Sequence, residues 1–149
     1  MLSSMEVTEE VVKDRFQFFN HELFGGALRM PQFSVKHYTL VAGQIRAKKP
    51  RATIIISSCF DFDTDSLDEV IIHEMIHYWL WRQGDKGAFR HGSSFRRECR
   101  RIKDSYGLAI HATGRHIRLK TQYPIPLYER VIWRMLSPMH LVATLIDRW

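Results

Sequence analysis

The sequence predicts an α+β fold, and three observations carry that expectation. Apolar residues recur at three- and four-residue steps in three separate stretches, each followed by glycine. Short alternating or β-branched runs bunch between the first and second of these stretches, as a small sheet would require. The 149 residues, 45% hydrophobic and 26% charged, suit one globular domain with a single core. A net charge of +6 favours an acidic partner, nucleic acid being the commonest.

The first helix begins at Thr8, places Val11, Val12, Phe16, Phe19 and Leu23 on one face, and stops at Gly25 and Gly26, which supply a left-handed turn. Met30 and Pro31 lead into QFSVKHYTL, where Phe33, Val35 and His37 alternate with polar neighbours as in a half-buried strand. A second short strand is expected around Val41 to Arg46, then the KKPR turn, then ATIIIS as a well-buried third strand. In CFDFDTDS, Asp61, Asp63 and Asp65 mimic the start of a calcium loop. That register puts Ser66 where glycine is needed and Ile72 where the bidentate glutamate must sit, so calcium is excluded. Ser66 and Glu69 instead suggest a capping box, with Ser66 as N-cap of a helix starting near Leu67. That second helix is apolar nearly all round, from Val70 to Trp81, and should be enclosed on most sides. After a loop with Gly84 and Gly87, Phe95, Cys99, Ile102 and Tyr106 mark the apolar face of a third helix closed by Gly107.

Within the enclosed helix lies HEMIH, residues 73–77. Four helical residues turn about 400°, so His73 and His77 share a face with Cβ atoms about 5–6 Å apart, close enough to bind one ion. Glu74 is rotated about 100° from His73, beside the metal and not on it, where it can take a proton from an attacking water. With eight histidines and eight glutamates in the chain, about 0.02 such HExxH matches are expected by chance. A catalytic zinc takes a third protein ligand. The metzincin pattern would put glycine at position 80 and histidine at 83, where Leu80 and Gln83 stand, so that class is excluded. His91, at the mouth of the third helix, is the expected third ligand, with Glu98 the alternative. Tyr78, Tyr106 and nearby arginines are candidates for sharing the oxyanion charge, without a choice among them.

FFNHELFGGALRMP (18–31), VAGQIR (41–46), IIIS (54–57), HEMIH (73–77) and HGSSF (91–95) together resemble the SprT-like metalloproteases, which include the Spartan proteases acting on DNA–protein crosslinks. The resemblance covers about the first two thirds of the chain. It implies a zincin-like fold, a small antiparallel-type sheet packed on the N-terminal helix and the HExxH helix, with zinc on His73, His77 and His91 and Glu74 as base. The four-cysteine zinc ribbon of many bacterial members, and the DNA and partner modules of Spartan proteins, find no counterpart in these residues.

Between Arg96 and Lys120 eight basic residues stand against Glu98 and Asp104. Arg96, Arg100 and Lys103 form a stripe on the third helix and, with Arg115 and Arg118, are candidates for contacting a phosphate backbone without reading bases. Cys99, His111 and His116 resemble the second half of a zinc finger, but a second cysteine partner is absent and Cys99 fits a core face, so no second metal site is expected there. Residues 1–120 are expected to form the metallopeptidase domain. Residues 121–149 are expected to form two short apolar helices broken at Pro138, an extension packed back on that domain. Two cysteines forty residues apart, acids where a secretory signal carries bases, and no apolar run of membrane-spanning length point to a cytoplasmic protein. The expectation is therefore a zinc metallopeptidase acting on protein, possible DNA-bound substrates included. A DNA-associated adaptor with a structural zinc and a zinc-dependent nucleic-acid hydrolase are the alternatives.

Overall fold

Thr8 accepts a hydrogen bond from Val11 N–H in an extended conformation and so starts α1, Glu9–Phe24, where the threonine predicts it. At the other end Gly25 adopts φ 60° and Gly26 φ 74°, a left-handed turn that a Cβ would strain. Asn20 secures this turn, its amide donating to Leu28 O at 2.8 Å and accepting from Leu28 N–H at 3.0 Å. The structure, a computed structural model, describes residues 4–113 and 116–120. The expected 121–149 extension, its break at Pro138, and Arg115 lie outside the described residues.

Three strands follow: β1 Gln32–Lys36, β2 Gly43–Lys48 and β3 Arg51–Ser57, ordered β1-β3-β2. β2 and β3 form the antiparallel hairpin that the KKPR turn implies, but β1 runs parallel to β3, with Phe33 opposite Ile54. The sheet is therefore mixed, which corrects the antiparallel-type sheet expected above. The reason is topological: each of two short connections reverses the chain, and β3 inserts between β1 and β2, so it must point the same way as β1. His37 falls beyond the end of β1. β3 is the buried centre, with Ile54, Ile55 and Ile56 each 2% exposed or less.

α2, Thr64–Arg82, starts one turn earlier than the sequence suggests. Its N-cap is Asp63, whose carboxylate accepts from Ser66 N–H at 2.8 Å while Ser66 Oγ accepts from Asp63 N–H at 3.0 Å. The capping box is thus Asp63 with Ser66, not Ser66 with Glu69; Asp caps as well as Ser, and Glu69 is engaged elsewhere. Arg15 of α1 forks the Asp68 carboxylate of α2 through Nε at 2.7 Å and Nη2 at 2.5 Å, locking the two helices together. Every residue from 70 to 78 is buried, as the all-round apolar pattern requires. α3, Ser93–Tyr106, buries Phe95 and Ile102, sets Phe95 against His73 and His77 of α2, and closes at Gly107, φ 72°. Tyr106, expected on that face, is instead exposed near the helix end. No helix among the described residues is long and apolar enough to cross a membrane.

Candidate metal centre

One turn apart on α2, His73 and His77 bring their Nε2 atoms to 3.1 Å. The loop after α2 returns His91 to the same point, its Nε2 3.1 Å from that of His77 and 3.0 Å from that of His73. The other nitrogens fix the chemistry. His73 Nδ1 lies 2.9 Å from the carbonyl of His111, and His77 Nδ1 2.7 Å from that of Ala88. A carbonyl can only accept, so both Nδ1 atoms carry the proton, and in a neutral ring Nε2 then presents a lone pair. Converging lone pairs at this distance repel one another unless a cation sits among them. Tetrahedral donors about 2.0–2.1 Å from a shared zinc stand about 3.3–3.4 Å apart, within a few tenths of an ångström of the spacing here. The residues present therefore fit a metal ion, and these three histidines form a group that could hold one.

Phe95 of α3 forms the wall of the group, its ring centroid 4.9, 4.8 and 4.7 Å from those of His73, His77 and His91. Glu74 is fully buried, and neither carboxylate oxygen has a hydrogen-bond partner among the described residues. Burial alone pushes its carboxyl well above the ordinary range. The start of β2 lies directly over it. A Cβ on Gly43 would come within 2.7 Å of Val70 Cγ1 and 3.1 Å of Glu74 Oε1, so only glycine lets the strand approach so closely.

The loop carrying His91 and the Ala88 carbonyl is tied by Asp85. One oxygen accepts from Gly87 N–H at 2.7 Å, the other from Ser94 Oγ–H at 2.6 Å, and these bonds, led by Ser94, lower its carboxyl below the usual value. Sequence reasoning gave Gly43 no part in the site, read Glu69 only as a capping residue, and passed over Asp85. A glycine opening a strand beside HExxH, and an Asp-x-Gly turn nine residues before a helical serine, were the available signals for the first and last.

His73, His77 and His91 thus come together; Glu98 does not join them. It lies buried on α3 and accepts from Arg101 Nε at 2.8 Å, while Arg101 Nη1 donates to Leu23 O at 3.0 Å. The Tyr78 hydroxyl donates to Arg29 O at 3.0 Å, which commits its proton away from the histidines. Cys99 is half-buried, and burial followed by the charge of Glu98 pushes its thiol up to about 11, in keeping with a packing role. Arg96, Arg100, Lys103 and Arg118 are exposed.

Fold and site define a class: an α+β domain whose most buried helix contributes two of three imidazoles able to share one metal ion. The SprT-like family model matches residues 12–121, and the chain belongs to the SprT-like family. A search among curated proteins returns no significant match.

Proposed function

We propose that the chain is a zincin-like zinc metallopeptidase, with His73, His77 and His91 as ligands and Glu74 as general base, hydrolysing peptide bonds in protein substrates. The observation that carries this reading is a buried carboxylate without a partner among the described residues, adjoining three imidazole nitrogens 3.0–3.1 Å apart. An all-imidazole set suits zinc, and membership in the SprT-like family supports the choice. When bound, zinc supplies Lewis-acid polarisation of the peptide carbonyl and a lowered pKa for water.

The chain's own residues do the rest. Glu74 takes the proton of the attacking water at its carboxylate and passes it to the leaving amine nitrogen. The His111 and Ala88 carbonyls hold the two helical imidazoles in the tautomer that keeps Nε2 free of a proton. Phe95 excludes water from behind the three rings. Arg96, Arg100, Lys103 and Arg118 are exposed basic residues that would hold a nucleic-acid backbone, so DNA-bound or DNA-crosslinked proteins are the substrates proposed.

The test is incubation of the purified chain with a DNA-binding protein, with and without zinc and single-stranded DNA, scored for fragments. Cleavage requiring zinc and stimulated by DNA is the expected result. Glu74→Gln should keep zinc yet lose at least about a hundredfold in rate, the usual contribution of a general base. Undiminished cleavage by that variant removes the assigned base; degradation of DNA with protein left intact selects nucleic-acid hydrolysis instead.

A further inference from the structure

We propose that Glu69, His111 and His116 form a second, exchangeable site for a first-row divalent cation of the zinc type, separate from the three-histidine group. Their ligand atoms all lie within 4.8 Å of one another, and the donor set, two imidazoles and one carboxylate, suits zinc and its neighbours in preference to calcium or magnesium. Cys99, which the sequence pattern grouped with these histidines, is not a member; the carboxylate of α2 takes its place.

The carboxylate is held ready. Glu69 is only 13% exposed, and its Oε1 accepts the backbone N–H of His111 at 2.9 Å, which fixes its orientation without using a side-chain donor. Around it stand His111 Nδ1, 2.5 Å from Oε1, and His116 Nε2, 3.0 Å from Oε2. The two imidazole centroids are 4.7 Å apart, close to the 4.8–5.0 Å spacing within the buried three-histidine group.

His116 does not owe its position to Glu69 alone. The segment after it is clipped to the core: Ile117 is buried, Asp61 N–H donates to Arg118 O at 2.7 Å, and Lys120 N–H donates to Cys59 O at 2.8 Å. The His116 imidazole is therefore presented by backbone anchored elsewhere, which is how a ligand is preorganised. The histidine side chains remain 60% and 42% exposed, so an ion bound here completes its shell with water and exchanges with solution. The site is also linked to the first. The His111 carbonyl accepts from His73 Nδ1 at 2.9 Å, so an ion that pins His111 steadies the orientation of a histidine in the buried group.

Nothing in this inference depends on peptidase activity, and one experiment separates the two. The whole chain, stripped with chelator, is titrated with zinc in a calorimeter alongside His116→Ala, Glu69→Gln and His91→Ala, circular dichroism confirming that each is folded. Two ions per chain are expected for the parent. His116→Ala and Glu69→Gln should each bind one, losing the weaker event, while His91→Ala loses the tighter. A single ion in the parent, unchanged by His116→Ala, overturns the proposal and reduces the cluster to a hydrogen-bonded clasp. Failure of the metal-centre reading would show separately, as undiminished tight binding in His91→Ala.

Discussion

Replacing Glu74 by glutamine should stabilise the metal-free protein at neutral and alkaline pH, although it removes the residue assigned as the base. Glu74 is fully buried, both oxygens lack partners among the described residues, and desolvation raises its carboxyl well above the ordinary range. A folded-state pKa above the unfolded one means the folded chain binds more protons between the two values, so stability falls as pH rises through that window. Below the unfolded value, near the ordinary carboxylate range of about 4.3, the penalty vanishes. Leaving a buried polar group unsatisfied costs about 1–3 kcal/mol, more when it is charged, and an isosteric neutral amide removes the charged part. For a chain of this size, each kcal/mol of that charged part removed should raise the melting temperature of the variant at pH 8 by about 3 °C. The assay is differential scanning calorimetry of chelator-treated protein at pH 5 and pH 8, and the advantage should shrink at the lower pH. Zinc should reverse it, because a cation beside the carboxylate favours the ionised form. A variant that melts at or below the parent at pH 8, or a difference independent of pH, would refute the reasoning.

Gly43→Ala places a methyl 2.7 Å from Val70 Cγ1 and 3.1 Å from Glu74 Oε1, which should cost about 1–3 kcal/mol and displace the carboxylate; urea unfolding with a peptidase assay checks it, and parental values in both would contradict the close approach. Asp63→Ala removes the N-cap of α2 and should destabilise by about 1 kcal/mol in the same unfolding assay while zinc stoichiometry is unchanged. Asp85→Asn should speed zinc release, measured by transfer to a chromogenic chelator, because Asp85 ties the loop bearing His91 to Ser94 and Gly87. Its carboxyl is lowered on folding, so its contribution to stability is present above the ordinary value of about 3.9 and lost as pH falls through the depressed one; the difference between parent and variant should close in strong acid.

What the sequence made legible were features decided within a few residues. Thr8 and Gly25 announce the ends of α1 by capping chemistry, the isoleucines of β3 announce burial, and HEMIH announces two imidazoles on one helical face. His91 could be named because a glycine-bearing loop must turn the chain back. The parallel pairing of β1 with β3 was hidden because it depends on which strand inserts between the others, not on any strand's own pattern. The start of α2 was misplaced because Asp63 and Ser66 are both good caps, and the choice rests on Glu69 finding His111 and His116 forty-two and forty-seven residues away. The clearance of Gly43 over Glu74 was likewise invisible, since it is a distance between two elements.

The most direct test of the central claim is zinc K-edge absorption on the chain loaded with one equivalent of zinc. Three imidazole nitrogens and one further oxygen at about 2.0–2.1 Å are expected, with no sulfur shell near about 2.3 Å. A sulfur neighbour, or only two imidazoles around the ion, would contradict a metal centre built from His73, His77 and His91.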